Sequence, residues 1–292
     1  MHEFQGTLTA LVTPMRDGRI DFAALETLVA RQIDAGVDGL VPCGTTGESP
    51  TLSDDEQLEV IRAAVRLARG QAQVLAGAGS NDTRHAIELS RRAADAGADG
   101  LLSVNPYYNR PTQRGLFEHF RAIAAAVPLP IMLYNIPGRT GVALEVSTIA
   151  ALRRECANVI AVKHATGRVD DAAELLAACD IAVLSGDDPL TLPLMSLGAV
   201  GVVSVLSNLA PRMVKRLTDA ALAGDFMRAR REHASLFALA RGLLSLETNP
   251  IPIKTALAMK GLCREEFRLP MCPISDENRE KLRRLLESVE VA

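Results

Sequence analysis

Aromatic residues are scarce in this chain of 292 residues, at 3%, and no apolar run approaches the length needed to cross a bilayer. The net charge is −3, and no block of basic residues is interleaved with aromatic side chains. These absences argue against a nucleic-acid-binding protein and against a membrane protein. The amino terminus has neither the basic nor the apolar segment of a secretion signal, so we expect a cytoplasmic location.

Cysteine and histidine each occur five times, without the spacing of a disulfide framework or a metal site. The cysteines are odd in number and widely separated, and no Cys-x-x-Cys pair is present, which indicates reduced thiols. The histidines lack zinc-ligand spacing, so a metal site would have to be assembled from remote residues. We therefore expect no metal.

Lysine is also rare, because arginine supplies most of the 32 basic residues. The lysines are Lys163, Lys215, Lys254, Lys260 and Lys281. Lys163 stands apart because it lies near the end of the apolar, β-branched run that begins at Val159. A lysine partly removed from water, unlike an arginine, can become a neutral amine and attack a carbonyl carbon, which indicates a Schiff-base nucleophile. The alternative is a lysine whose ammonium reaches the surface past an apolar stem.

Eight short apolar segments alternate with helical patterns, and the chain length suits one large domain. The predicted strands are Gly6–Val12, Gly39–Cys43, Val74–Gly79, Gly100–Val104, Pro130–Asn135, Val159–His164, Ile181–Ser185 and Val202–Leu206. Apolar strands that are each followed by a crossover helix imply a parallel sheet covered on both faces. Eight such units predict an α/β fold, the closed (β/α)8 TIM barrel. An open, doubly wound sheet is the alternative, because alternation alone does not show closure.

The strand pattern stops after Gly224, and three further helices are predicted. They cover Asp225–Leu246, Pro252–Lys260 and Ser275–Ser288. This predicts two parts, a catalytic barrel over residues 1–224 and a C-terminal helical region over residues 225–292. Within the barrel, Ser53-Asp-Asp-Glu56 has the form of a capping box and predicts a helix start.

Reactive groups in such a barrel collect at the carboxyl ends of the strands. The second strand is followed by Gly44-Thr-Thr-Gly-Glu48, whose hydroxyl and amide donors suit a carboxylate; a plain turn is the alternative. A phosphate loop is disfavoured because no Gly-Lys-Ser/Thr follows. Gly77-Ala-Gly79 lacks the third glycine of a dinucleotide-binding fingerprint.

All three tyrosines lie in two strand-end segments, Tyr107 and Tyr108 after the fourth strand and Tyr134 in the fifth. A phenol can move a proton, and a guanidinium such as that of Arg139 can bind a carboxylate through two hydrogen bonds. Interface packing is the alternative role for Tyr107 and Tyr108. Together with Lys163, these groups fit condensation of a small 2-oxo acid with a second carboxylate-bearing substrate. A pyridoxal phosphate enzyme also uses a lysine, but no phosphate cup or partner for the ring nitrogen is identifiable.

Over essentially its whole length the chain resembles the pyruvate-dependent class I aldolases and lyases, and in particular the dihydrodipicolinate synthase branch of that family. The motifs that carry the resemblance are Gly44–Glu48, Tyr134-Asn135 and Lys163 for the family, and Pro106–Pro111, Pro137–Gly141, Ser185–Asp188 and Asn249–Lys254 for the branch. The resemblance implies condensation of pyruvate with L-aspartate 4-semialdehyde to 4-hydroxy-tetrahydrodipicolinate, in lysine (diaminopimelate) biosynthesis.

Two alternatives to the synthase stay open. One is an aldolase of the same family that acts on a 2-oxo sugar acid or another 2-oxo acid; such members usually lack an arginine at the position of Arg139. The other is a catalytically idle barrel that binds a small acid as a sensor. Turnover with L-aspartate 4-semialdehyde separates these possibilities from the synthase.

The resemblance also implies roles for individual residues. The catalytic residues are Lys163, Tyr134, Thr45 and Tyr108; the substrate-binding residues are Thr46, Arg139, Gly186 and Val203; the interface or allosteric residues are Tyr107, Ser49, Asn81 and His85. Because pyruvate forms an imine with Lys163, no cofactor is expected. Tyr108 reaches a neighbouring subunit's site in the family, so a homo-oligomer is expected, usually a tetramer built as a dimer of dimers.

The sequence departs from the family pattern at two places. His164 follows the nucleophile where an acidic residue is most common; adjacent strand residues face opposite sides, so His164 should point toward the helices with little effect on catalysis. Lysine-sensitive members tend to have histidine at the position of Asp54 and glutamate at that of His85. We therefore expect weak or absent inhibition by lysine.

Overall fold

The computed structural model of the chain describes residues 3–287. Its strands, in chain order, are β1 (Gly6–Ala10), β2 (Met15–Arg16), β3 (Arg19–Ile20), β4 (Gly39–Val41), β5 (Gln73–Gly77), β6 (Gly100–Val104), β7 (Ile131–Asn135), β8 (Val159–His164), β9 (Ala182–Ser185) and β10 (Gly201–Ser204). All except β2 and β3 are parallel and close a barrel in the order β1-β10-β9-β8-β7-β6-β5-β4. The predicted TIM barrel is confirmed, and the open doubly wound sheet is wrong.

Helices follow the barrel strands, and the described residues after β10 contain helices but no further strand. They are α1 (Phe22–Asp34), α2 (Asp54–Ala68), α3 (Thr83–Asp95), α4 (Gln113–Ala126), α5 (Pro137–Thr140), α6 (Val146–Glu155), α7 (Val169–Ala178), α8 (Thr191–Ser196), α9 (Pro211–Leu222), α10 (Phe226–Ser245), α11 (Ile251–Met259) and α12 (Asp276–Glu287). The predicted capping box at α2 is present: Ser53 Oγ accepts from the amide of Glu56, and the Glu56 carboxylate accepts from the amide of Ser53. The predicted helix end at Ser288 lies outside the described residues.

Side chains of the barrel strands alternate between two apolar layers. Leu75 and Leu184 belong to the cluster inside the barrel, whereas Val74 and Val183 belong to the cluster between strands and helices. Both layers are buried, because helices cover the outer face, and this explains why the strands read as continuous apolar runs. Alternation in β8 directs Lys163 inward, since the preceding Val162 packs in the outer layer.

The last three helices pack against one side of the barrel. Apolar residues of α10, α11 and α12, including Leu239, Ile253 and Leu282, share a core with Val12 and Val202. The segment that joins α10 to α11 therefore lies at the carboxyl ends of the strands, where it contacts the loops after β4 and β7. Between residues 3 and 287, no helix is both long and apolar enough to span a membrane.

Candidate active site

Lys163 and Tyr134 lie side by side inside the barrel. They are register partners on the neighbouring strands β8 and β7, and the Lys163 Nζ lies 4.2 Å from the centroid of the Tyr134 ring. Their relative exposures are 5% and 4%. The amine is thus held away from bulk water, against the face of an aromatic ring. The alternative of an ammonium that reaches the surface is wrong.

Gly186 leaves the space that the lysine side chain occupies. It follows β9, and its amide donates to the His164 carbonyl at 2.7 Å. A Cβ atom at this position would lie 2.6 Å from the Cβ of Ala165 and 3.1 Å from the Cε of Lys163. Any larger residue would therefore press directly on the stem of the proposed nucleophile.

The segment Gly44–Glu48 forms a tight turn after β4. The amide of Gly47 donates to the Gly44 carbonyl and the amide of Glu48 donates to the Thr45 carbonyl, each at 3.1 Å. Thr46 is buried, and its hydroxyl accepts from the Asn249 side chain at 3.1 Å. The turn therefore presents two adjacent threonines from a backbone that is internally hydrogen-bonded.

A cavity of about 360 Å³ lies beside this turn. Its lining includes Thr45, Ser49, Asp54, His85, Tyr107 and Arg139. The structure therefore brings Thr45 and Arg139 to one cavity with three of the four predicted interface or allosteric residues, and Thr46 and Asn81 are not part of its lining. Lys163 and Tyr134 are not among the residues that line it; they are buried in the barrel interior.

Arg139 lies on α5, the short helix that follows β7, with its side chain exposed. Its Nη2 donates to the Asn249 carbonyl at 3.0 Å. Within residues 3–287 this is the one hydrogen bond of the guanidinium group, so its other donors are free to bind a carboxylate. Asn249 thus links Arg139 to Thr46, through its carbonyl on one side and its side chain on the other.

Tyr107 and Tyr108 follow β6 on the surface. Tyr108 is 92% exposed and has a left-handed backbone with φ of 73°. The Tyr107 carbonyl accepts from the Asn81 side chain at 3.1 Å. Within one chain, the structure does not bring Tyr108 to Tyr134, because one ring is on the surface and the other is in the core.

Of the predicted interface or allosteric residues, His85 belongs to a small polar cluster with Asp54 and Ser80. His85 Nε2 lies 3.0 Å from Asp54 Oδ2, and its Nδ1 lies 3.2 Å from the Ser80 hydroxyl. The Ser49 carbonyl accepts from the Gln57 side chain at 3.2 Å. The acidic and basic groups of this cluster are thus already paired with each other.

His164 points out of the barrel, as predicted. Its Nε2 lies 2.9 Å from the Arg168 carbonyl and 3.0 Å from the Thr166 hydroxyl, in a groove lined by residues of α6 and α7. Val203, by contrast, is fully buried in β10 and belongs to the inner cluster with Tyr134.

Asp187 is a partly buried acidic residue near Lys163 that was not among the predicted site residues, although it lies in the motif Ser185–Asp188. Burial raises the pKa of the Asp187 carboxyl group, and the nearby charge of Lys163 opposes that rise. The adjacent Asp188 has a structural role, because its carboxylate accepts from the amides of Val205 and Leu206 at 2.9 and 3.0 Å. Across residues 3–287, no three histidine, cysteine or acidic side chains cluster closely enough to hold a metal ion.

Comparison with known proteins shows the family of the chain and agrees with its barrel fold. The model of the dihydrodipicolinate synthetase family matches residues 3–289. The 4-hydroxy-tetrahydrodipicolinate synthase of Pelobacter propionicus is 50% identical over 287 residues, which are 98% of this chain and 98% of the relative. The crystal structure of dihydrodipicolinate synthase from Aquifex aeolicus has a TM-score of 0.97 at 49% identity and covers 99% of both chains. The Acinetobacter baumannii dihydrodipicolinate synthase complexed with pyruvate has a TM-score of 0.96 at 43% identity, again over 99% of both chains.

Proposed function

Because the chain belongs to the dihydrodipicolinate synthetase family, we propose that it condenses pyruvate with L-aspartate 4-semialdehyde to 4-hydroxy-tetrahydrodipicolinate, a step of lysine (diaminopimelate) biosynthesis. The observation that carries the proposal is the buried amine of Lys163, 4.2 Å from the ring centroid of Tyr134. The threonine turn and Arg139 supply two separate places for a carboxylate, as two acidic substrates require.

The first half of the reaction joins pyruvate to the enzyme. Thr45 and Thr46 bind the pyruvate carboxylate, and the neutral amine of Lys163 attacks the keto carbon. The carbinolamine loses water to give an imine, with Tyr134 moving the protons. Loss of a methyl proton then converts the imine to an enamine, and the carbonyl of Val203 lies near the nitrogen.

The second half forms the carbon–carbon bond and releases the product. The enamine carbon attacks the aldehyde of L-aspartate 4-semialdehyde, whose carboxylate binds Arg139 and whose amine meets the backbone at Gly186. This attack regenerates the imine. The substrate amine then adds to the imine carbon and displaces Lys163, which closes the ring and frees the enzyme. The imine provides the electron sink, so the proposal needs no cofactor.

We propose that the active protein is a homo-oligomer, a dimer of dimers. Tyr108 supports this assembly, because a tyrosine that is 92% exposed on a left-handed backbone has too few contacts in its own chain to hold it there. In the assembly Tyr108 joins Thr45 and Tyr134 of a neighbouring subunit as a proton relay, and Tyr107 packs at the same interface. The division into a catalytic barrel over residues 1–224 and a helical region over residues 225–292 likewise stays a prediction.

Borohydride reduction tests the imine directly. We expect the purified protein to gain a pyruvate-dependent adduct on Lys163, located by peptide mass mapping. Lactate is the matched control, since it has the same carbon skeleton and carboxylate but no keto group to form an imine. An unmodified Lys163 in folded protein would show that the proposed chemistry is wrong.

Turnover then separates the synthase from the alternative aldolase. A protein that forms the adduct and consumes L-aspartate 4-semialdehyde is the synthase. A protein that forms the adduct but turns over only a 2-oxo sugar acid or another 2-oxo acid is the aldolase, and the assignment of the second substrate would be wrong.

A further inference from the structure

A second lysine is buried even more completely than Lys163. The Nζ of Lys254 on α11 lies 2.5 Å from Glu48 Oε1, and the two side chains are 0% and 2% exposed. The residues are 206 positions apart, so the pair joins the C-terminal helices to the turn after β4. Glu48 is the last residue of the same Gly44–Glu48 turn that carries Thr45 and Thr46.

This ion pair is poorly explained by stability alone. Burial of two charges costs about as much free energy as their attraction returns, and an apolar pair of similar volume is often as stable. Burial lowers the pKa of the Lys254 ammonium, and the Glu48 carboxylate opposes that change. The second oxygen of Glu48 has no hydrogen-bond partner among the described residues. The orientation of this carboxylate therefore depends on Lys254.

The backbone of Glu48 takes part in the hydrogen bonds that define the turn. Glu48 has a left-handed backbone with φ of 56°, and its amide donates to the Thr45 carbonyl at 3.1 Å. Its own carbonyl accepts from the amide of Thr51 at 3.0 Å and from the Thr51 hydroxyl at 3.1 Å. A non-glycine residue in this conformation stays there only when its surroundings hold it. Release of the Glu48 side chain would therefore let the turn relax and move Thr45.

The segment that carries Lys254 holds the turn at a second point. Asn249, five residues earlier, donates from its side chain to the Thr46 hydroxyl at 3.1 Å. The contacts of Asn249 with Thr46 and of Lys254 with Glu48 thus hold the turn on either side of Gly47. The Thr13 hydroxyl donates to the Gly47 carbonyl at 2.7 Å between them.

We propose that Lys254 is a positioning residue for pyruvate: through Glu48 it holds the Gly44–Glu48 turn so that Thr45 and Thr46 meet the carboxylate of the first substrate. Lys254 does not contact substrate in this role. The inference rests on the proposed function, since it assumes that pyruvate binds at this turn. A displacement of about 1 Å in such a group can cost a large factor in binding or rate.

Borohydride trapping at increasing pyruvate concentration tests the inference without the second substrate. The variants are Lys254→Met, Glu48→Gln and the double variant. We expect all three to raise the half-saturating pyruvate concentration by about tenfold or more while the final yield of Lys163 adduct is unchanged. The KM for L-aspartate 4-semialdehyde should stay within about twofold, because Arg139 is held by the Asn249 carbonyl rather than by this pair.

Thermal stability distinguishes positioning from simple support of the fold. Lys254→Met leaves a buried charge unpaired and should lower the melting temperature, whereas the double variant removes both charges and should recover it. Positioning is supported if the double variant recovers the melting temperature while its half-saturating pyruvate concentration stays raised. A double variant with both stability and pyruvate half-saturation like the unmodified chain overturns it. If Lys254→Met does not fold, the double variant and Glu48→Gln decide the question.

Lys215→Met is the matched control. Lys215 also pairs with a carboxylate, Asp38 at 3.3 Å, but at the opposite end of the barrel. Its pyruvate titration should match that of the unmodified chain, and an equal rise in this control would overturn the inference. If the unmodified chain forms no adduct at all, the proposed function has failed. If the Lys254 and Glu48 variants form the adduct at the normal half-saturating pyruvate concentration, only the role of Lys254 is rejected.

Discussion

The two ends of the barrel use polar side chains in opposite ways. At the amino ends of the strands, these side chains complete backbone hydrogen bonds. Asp38 accepts from the amide of Thr7 and Asp99 accepts from the amide of Val74, each at 2.8 Å. Asn158 donates to the three carbonyls of residues 124, 127 and 129, at 3.0 to 3.2 Å. At this end, these three side chains therefore supply partners to backbone groups of the strands and of the segments that precede them.

The carboxyl ends of the strands carry strain and buried charge instead. Non-glycine residues with left-handed backbones concentrate in the loops after β4 and β6, namely Cys43, Glu48, Tyr108 and Arg110. Each such residue costs on the order of 1–2 kcal/mol in the folded state. The same end holds the buried amine of Lys163 and the buried pair of Glu48 and Lys254. The amino end therefore stabilises the barrel. The carboxyl end is less stable than it could be, because its residues are arranged for the site.

The largest effect that separates the two ends is expected from Lys163→Met. Turnover should fall by about 10⁴-fold or more, because the variant cannot form the imine. The melting temperature should stay the same or rise, since methionine fills a similar volume without a buried amine. Steady-state turnover and thermal unfolding of the same preparation check both statements. Substantial remaining turnover would show that another residue is the nucleophile.

A smaller loss of turnover is expected from Gly186→Ala. The added methyl group would lie 2.6 Å from the Ala165 Cβ and 3.1 Å from the Lys163 Cε, so the amine must move. We expect kcat to fall by about 100-fold, as for other misplaced reacting groups. Gly138→Ala is the matched control on α5, because a Cβ there has nothing within 4 Å. Equal kcat values for the two variants would contradict the role of Gly186 in placing Lys163.

The opposite result is expected at the other end, from Asn158→Ala. Three carbonyls lose their shared donor, which should lower the free energy of unfolding by about 2 kcal/mol. Turnover per folded molecule should not change, because residue 158 precedes β8 at the end remote from Lys163. Denaturant unfolding and kinetics on the folded fraction test this. A loss of turnover without a loss of stability would break the division between the ends.

Local patterns explain why most of the fold was predictable. Each barrel strand could be predicted from an apolar run. The start of α2 could be predicted from a capping box within four consecutive residues. The hairpin of β2 and β3 was missed because two-residue strands are too short to show a period. The orientation of Lys163 and His164 followed from alternation alone, once β8 was recognised.

The contacts of the C-terminal segment could not be predicted in the same way. Asn249 meets Thr46, and Lys254 meets Glu48, across more than 200 residues of sequence. No local sequence periodicity predicts such a contact, because it depends on how the helices after the barrel pack at the carboxyl ends of its strands. The available signal was chemical: Lys254 is one of five lysines in a chain that otherwise uses arginine.

The smallest effect is expected from added L-lysine. This measurement tests whether the carboxyl end of the barrel also contains a regulatory site. A bound lysine needs a free carboxylate for its ammonium group. The carboxylate of Asp54 is already 3.0 Å from His85 Nε2, with an Arg92 guanidinium nitrogen 4.0 Å away. We therefore expect no inhibition from micromolar to low millimolar lysine in an initial-rate titration. Inhibition in that range would contradict this expectation.

The double variant with Asp54→His and His85→Glu sharpens the same test. It exchanges the two residues for the types that lysine-sensitive members of the family tend to have, and it places a carboxylate where the ligand's ammonium would bind. Because the change lies in the cavity but leaves Lys163, Thr45 and Arg139 intact, turnover without lysine should persist while sensitivity to lysine appears. Persistent insensitivity in this variant would mean that residues other than 54 and 85 determine the response.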